Sequence, residues 1–376
     1  MKGTPTWLRA QNDRTAFRLL LEHGPLSRTQ LGGLSGLSKP TAGQMIARLE
    51  RVGLIGPVGE ITGSRGPNAV AYGVRRDTLT GVAVSILADR LQAVLVDPTD
   101  GRHPVVDVPT AGLDRSPAGD VTAAVHAACA AAGVAHDTVS AVTIGVQAAV
   151  DAPRDELSYA DTLPGWPLQG ARTLIATATG LDVTIENDVN LAALAVRAAG
   201  AVTGDFVYLW LGDGIGAGVF LGGVLHRGFG GGAGELGYLE VPASVAARYP
   251  GVADFTDLTG APGVLSLAGE PPSRGGSADV LDRLCADPRV LAAFADRVAV
   301  VLQPVLALLA PPRIVLGGPA GLAGGAELAS LVAERLSLAP SRVAASELTA
   351  SVLAGARSLL VTDLQARLEQ QIDEEL

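Results

Sequence analysis

The spacing of apolar residues divides this chain into three regimes. Up to Val52 the period is helical. Thr15–His23 is amphipathic and stops at Gly24-Pro25. Ser27 reads as an N-cap for Arg28–Leu34, with Gln30 placed for a capping box. Gly36 breaks that helix, and Ser38 caps Lys39–Val52, with Pro40 in its first turn and Met45, Ile46, Leu49 and Val52 on one stripe. The four-residue turn Ser35–Ser38 makes this a helix-turn-helix. Strand-like Leu54–Val58 and Ala69–Val74 follow, flanking a turn-rich tip that holds Arg65, the layout of a wing.

The second regime alternates β-branched runs with helices. Thr80–Leu87, Leu91–Val96 and Pro104–Val108 form a strand meander, and Ser140–Val146 and Asp182–Glu186 are further strands. Helices are expected at Ser116–Ala132, Ala171–Thr179 and Val189–Ala199, with a loop at Leu163–Trp166. Phe206–Leu211 opens the third regime as an apolar strand. Gly216–Leu221 and Val224–Arg227 then pair across Gly222-Gly223, because a tight hairpin turn needs positive φ at both central positions. Beyond residue 250 come alanine- and leucine-rich helices at Gly276–Cys285, Asp287–Leu309, Gly325–Leu336 and Glu347–Glu374, around one buried strand, Arg313–Gly317.

Charge sharpens this division. Residues 1–76 carry eleven Lys/Arg against four Asp/Glu, a net of +7, whereas the remainder carries seventeen against thirty-four, a net of −17. A basic head on an acidic body points to a polyanion met by the head alone. Candidate DNA contacts are Gln44 and Arg48, which suit base edges, and Ser27, Arg28, Ser38 and Lys39, which suit phosphates. Thr41, Gln44 and Arg48 share a helix face, and Arg65 between small residues suits a minor groove. No apolar run reaches the roughly 18–20 residues of a membrane span, and the N-terminus lacks an apolar leader, so a cytoplasmic protein with no membrane partner is expected. Cys129 and Cys285 stand alone and read as small buried hydrophobes.

Candidate ligand chemistry centres on Leu211–Tyr238, with twelve glycines in twenty-eight residues. Gly228–Gly234 is a nearly bare loop that lets backbone approach a ligand, and it ends in one carboxylate, Glu235. The same glycines also fit a turn cluster with no ligand. Asn187-Asp188 lies where a strand meets a helix, the position at which open α/β sheets bind ligands. Asp188 fits a helix N-cap equally well.

The order of these motifs resembles the ROK family of repressors and sugar kinases. They are the winged helix, the meander, IENDVNLAAL (185–194), the glycine-rich hairpin ending GGAGELGY, and PPRIVLGGP (311–319). The resemblance covers nearly the whole chain. It implies a multi-domain chain: a winged helix-turn-helix (1–76), then an α/β actin-like (ribonuclease-H-like) two-lobed domain. The small lobe would span 77–198, completed by the C-terminal helix, and the large lobe, with the dimerisation surface, 199–376. It further implies a hexose-type pocket in which Asn187, Asp188 and Glu235 bind sugar hydroxyls, with Tyr238, Asp161 and Gly165 of the neighbouring loops beside them. In the kinases the Asp is also the base that deprotonates the sugar.

Four departures separate the chain from the kinase pattern. SILAD (85–89) stands where D-x-G-G-T holds phosphate, and GVQAAVD stands where G-x-P-G-x-V-D is usual. Gly212-Asp213-Gly214 replaces G-T-G. A carboxylate about 5 Å from a triphosphate, at an effective dielectric of about 20, costs on the order of 3 kcal/mol, and Lys39 is the last lysine of the chain. Tyr238 replaces a zinc-binding His, and Glu240–Leu258 holds neither Cys nor His. No cofactor, no metal and no catalytic residue is therefore expected. The resulting reading is a DNA-binding regulator, a repressor, which senses a sugar or sugar phosphate without phosphorylating it, acting as a homodimer or tetramer on double-stranded DNA. An active sugar kinase fused to a DNA-binding head, and a DNA-binding protein without ligand, are the alternatives.

Overall fold

The computed structural model describes residues 5–62, 68–110, 115–160, 163–267, 269, 287–336 and 341–375. The head comprises α1 (Pro5–His23), α2 (Arg28–Ser35), α3 (Lys39–Arg51), β1 (Ile55–Ile61) and β2 (Ala69–Val74). Both sequence-expected caps form. Ser27 and Gln30 exchange the two bonds of a capping box, Gly36 ends α2 at φ 68°, and the Ser38 hydroxyl accepts from Thr41 N–H. β1 and β2 pair antiparallel as the wing. The tip with Arg65 lies outside the described residues. Helix α1 begins ten residues earlier than the apolar pattern suggested, at Pro5.

The body holds two five-stranded sheets of one topology. The first contains β3 (Thr80–Ile86), β4 (Arg90–Val96), β5 (Val105–Pro109), β6 (Val139–Val146) and β9 (Asp182–Asn187), in the order β5-β4-β3-β6-β9. A short ribbon, β7 (Ala149–Asp151) and β8 (Glu156–Ser158), projects between β6 and β9. The second sheet contains β10 (Phe206–Leu211), β11 (Ile215–Leu221), β12 (Val224–Leu225), β13 (Arg313–Gly317) and β14 (Arg342–Ala345), in the order β12-β11-β10-β13-β14. In each sheet a three-strand antiparallel meander is followed by two parallel strands. Gly222 and Gly223 turn the β11–β12 hairpin at φ 60° and 74°, as the sequence requires. The ribbon and β14, at three or four residues each, are too short to leave a period-two signal.

Helices α4 (Pro117–Ala132) and α5 (Ala171–Thr179) cover the outer face of the first sheet. The outer face of the second sheet is covered by α7 (Ala243–Arg248), α8 (Phe255–Thr259), α9 (Ala261–Leu267), α10 (Pro288–Leu309) and α11 (Gly318–Arg335). Helix α10 is long and apolar enough to cross a membrane by length and composition alone, although Asp296 and Arg297 interrupt its apolar run. It lies instead in the core of the second lobe, where Leu291, Phe294, Val298 and Leu302 are buried and Arg297 donates to the carbonyls of Leu258 and Gly263. The expected helix Gly276–Cys285 lies outside the described residues; Cys129 is buried, as expected.

Two helices fill the space between the sheets: α6 (Asp188–Ala198) and the 25-residue α12 (Ser351–Glu375). The start of α12 packs Val352, Leu353, Ala356 and Leu360 among residues of both sheets. Its end leaves the body and enters the head, where Leu368 and Ile372 are buried against α1 and its neighbours. Burying two such side chains contributes roughly 1.5–3 kcal/mol each. Arg18 adds a two-pronged pair to Glu369, with both N···O distances 2.6 Å, and Arg14 pairs with Asp373. One helix thus belongs to the interlobe core and to the core of the head.

Candidate ligand cleft and DNA face

The cleft is built from the junction of β9 and α6 outward. Sequence left open whether Asp188 is merely the cap of α6. The cap is Asn187: its Oδ1 accepts from Asn190 N–H at 2.9 Å, while its amide donates to the Ala148 carbonyl at 3.1 Å. Asp188 is therefore released from capping. Its Oδ1 accepts from Val189 N–H at 2.8 Å, and the side chain is buried at the first turn, where the helix dipole favours negative charge. Behind it Glu186 is held by Asn190 at 3.0 Å and by the guanidinium of Arg227 at 2.6–2.7 Å. The sequence reading missed this pairing of a buried acid with an exposed arginine, although Glu186 is part of the quoted IENDVNLAAL run.

Glu235 arrives from the bare loop. Gly234 sits at φ 91°, where a Cβ would run into the carbonyl oxygen of Ala217, so the loop lies directly on β11. Ala217 N–H donates to the Gly234 carbonyl at 2.8 Å, which fixes the residue before Glu235. Burial pushes the Glu235 carboxyl up to about 7. Burial also pushes Asp188 up to about 7, opposed by the Val189 N–H and reinforced by the negative charge of Glu235. Two acids on different lobes thus lie within electrostatic reach of one another, and both titrate near neutrality. A protonated carboxyl donates and an ionised one accepts, so the pair can hold hydroxyl groups in either role.

The other expected pocket residues stand differently. Tyr238 turns its ring against Tyr159 of the first lobe, with centroids 4.6 Å apart, and its hydroxyl donates to the Tyr159 carbonyl at 3.4 Å. Gly165 packs its α-carbon on the backbone of Arg115, and Asp161 lies outside the described residues.

Two turns stand where the family resemblance places phosphate. Leu87 to Arg90 close the β3–β4 turn, where Leu87 N–H donates to the Arg90 carbonyl at 2.9 Å and Arg90 pairs with Asp89 at 2.9 Å. Asp89, the acid of the SILAD run, is exposed and paired by its neighbour Arg90, which offsets its charge. Asp213 is exposed in the β10–β11 turn. Gly317 is pressed against the Tyr208 ring, and Gly318 N–H donates to the Tyr208 hydroxyl at 3.3 Å. That glycine pair serves strand–helix packing. Burial pushes the Tyr208 hydroxyl up, opposed by Ser351, the first residue of α12, and by Gly318 N–H, and reinforced by the charge of Asp188. Among the described residues, no three His, Cys, Asp or Glu side chains come together as metal ligands.

In the head, the exposed face of α3 carries Ser38, Lys39 and Gln44, with Thr41 half-buried beside them. Arg28 stacks on Tyr72, 5.5 Å from the ring centroid, and donates to its hydroxyl at 2.9 Å. Two expected contacts are corrected. Ser27 is buried, and its hydroxyl is engaged with Gln30 inside the cap of α2. Arg48 grips the fully buried Asp13 of α1 with two bonds of 2.6 and 2.7 Å. Because the sequence reading began α1 at Thr15, Asp13 was left outside the helix and its claim on Arg48 went unseen.

Residues 115–256 match the sequence profile of the ROK family. The chain is 34% identical over 167 residues to the bifunctional enzyme NanE/NanK of Brucella suis, covering 43% of this chain and 30% of that enzyme. It is 22% identical over 245 residues to the xylose repressor of Bacillus subtilis, covering 63% and 62%. The chain thus spans less than two thirds of the length of these curated relatives. Among solved structures, a ROK family transcriptional regulator, a homologue of the E. coli Mlc protein, superposes with a TM-score of 0.70 at 19% identity, covering 98% of this chain and all of that one. The shared fold therefore extends through head and body alike, and the chain carries a ROK family domain.

Proposed function

We propose that the chain is a DNA-binding transcriptional regulator, a repressor acting as a cytoplasmic homodimer, whose body senses a sugar or sugar phosphate without phosphorylating it. The observation that carries this reading is α12. A single helix starts beside the cleft, at Ser351 on Tyr208, and ends inside the core of the DNA-binding head. A ligand drawn between Asp188 and Glu235 changes the approach of the lobes that clasp α12. The head moves with that helix, and in a dimer the spacing of the two α3 helices changes with it. Ser38, Lys39, Thr41, Gln44 and Arg28 form the DNA-facing set. Similarity to both a repressor and a kinase-containing enzyme agrees with a sugar-type ligand for the cleft. The crowded glycines of the opposite side favour sensing over turnover.

Selection of bound duplexes from a random library tests the first half: a two-fold symmetric consensus is expected, and recovery of unrelated sequences would end the reading. A thermal-shift screen of sugars and sugar phosphates tests the second. With a hit in hand, Glu235→Ala should raise the ligand concentration needed to alter DNA affinity about tenfold or more, because a hydrogen bond to a charged group is worth roughly 1.5–3 kcal/mol. DNA affinity without ligand should be unchanged. Turnover of ATP dependent on Asp188 would instead establish the kinase alternative.

A further inference from the structure

Four exposed groups, two from each lobe, meet as two pairs where the ribbon of the first lobe approaches the Glu235 loop of the second. Arg154 and Tyr159 flank β8 of the first lobe; Phe229 and Tyr238 bracket Glu235 in the second. Tyr159 and Tyr238 are half exposed with their rings tilted at 46°. Phe229 is 90% exposed, and Arg154, held by Asp151 at 2.6 Å, places its guanidinium 5.1 Å from the centre of that ring. Apart from the methyl of Ala233, Phe229 is the sole side chain between Gly228 and Gly234. Exposed apolar residues scattered singly require no explanation, but these two pairs, with Gly232 of the Phe229 loop approaching the Tyr159 ring, bring three aromatic rings to one seam between the lobes.

Resting on the reading of the cleft as a sugar site, we propose that its ligand is a glycoside rather than a free monosaccharide. The inner sugar unit meets Asp188 and Glu235. A second ring, either another sugar or an aryl group, lies on the platform of Phe229, Tyr159 and Tyr238. The chemistry matches. A pyranose ring has an apolar C–H face that packs on an aromatic face and a polar rim that hydrogen-bonds outward, and Arg154 offers donors at that rim. An aryl group stacks on the same rings. The glycine loop carries the platform without filling the space above it.

Calorimetry on the full chain tests this with glucose, mannose and galactose, each as the free sugar, the methyl glycoside and the phenyl glycoside, together with cellobiose and maltose. A phenyl glycoside or a disaccharide should bind about tenfold or more tighter than the matching free sugar and methyl glycoside. Which of the two gains more tells the aryl from the saccharide source. Phe229→Ala and Tyr159→Ala should each remove about five- to tenfold of that gain and leave free-sugar affinity as it was. Equal or tighter binding of the free sugar overturns the inference and spares the sugar-site reading. Binding of no probe overturns both. A change in sedimentation of Phe229→Ala, with glycoside affinity intact, would assign the ring to a subunit contact and overturn the inference as well.

Discussion

The head and the cleft treat their charged side chains in opposite ways. In the head Arg48, a residue type suited to reading bases, is gripped by a buried carboxylate, and Arg28 rests on a tyrosine. In the cleft two acids lie within electrostatic reach of one another and no cation pairs with either among the described residues, while the nearby Arg227 is held by Glu186. Both regions bring polar residues to a functional surface. What differs is whether a distant element supplies a partner, and that decides which side chain braces the fold and which stays available for a ligand.

The largest effect that sharpens this contrast is expected at Arg48. Arg48→Ala leaves Asp13 buried and unpaired, which should lower the stability of the head by about 2–4 kcal/mol. Denaturation followed by head-specific proteolysis would measure it. An Arg48→Ala protein as stable as the parent, but altered at one base position of its consensus, would return Arg48 to the DNA face and erase the contrast.

Next comes Asp188. A carboxyl whose folded pKa lies above its unfolded value binds protons on folding, so its unfavourable contribution is absent below about pH 4 and grows as pH rises through about 7. The unliganded protein should therefore lose stability across that range. Asp188→Asn should recover roughly 1–3 kcal/mol of it at pH 8 and next to nothing at pH 4. Melting curves at the two pH values decide; equal effects at both would mean that Asp188 is not the strained acid described here.

The smallest effect concerns Lys39. As an exposed point charge at the start of α3, it should contribute to all duplexes alike. Lys39→Ala should weaken binding on every sequence and reduce the slope of log affinity against log salt by about one. Gln44→Ala, in contrast, should relax the preference at one base pair by about 1–3 kcal/mol. Salt titrations on consensus and scrambled duplexes separate the two, and a sequence-specific loss at Lys39 would reverse their roles.

What could be read from sequence was what local chemistry determines. The caps Ser27 and Ser38, the stop at Gly36 and the Gly222-Gly223 turn depend on neighbours within a few residues, and all four form as expected. The meanders and the inner strands of both sheets followed from apolar runs, whereas β14 and the β7–β8 ribbon did not. Partnerships across the fold left no such trace. Asp13 and Arg48 are 35 residues apart, Glu186 and Arg227 41, and Arg18 and Glu369 351. The assignment of the cap to Asn187 rather than Asp188 turned on a one-residue shift, and it is this shift that leaves the carboxylate facing the cleft.

The length of α12 gives those partnerships a mechanical meaning. Twenty-five residues at 1.5 Å each make a rod of about 37 Å. Tilting such a rod by about 5° about the end near the cleft sweeps the far end through about 3 Å, close to the 3.4 Å rise between successive base pairs. On the proposed function, a rearrangement too small to reshape the ligand cleft is thus enough to shift the head by about one base-pair step of a bound duplex.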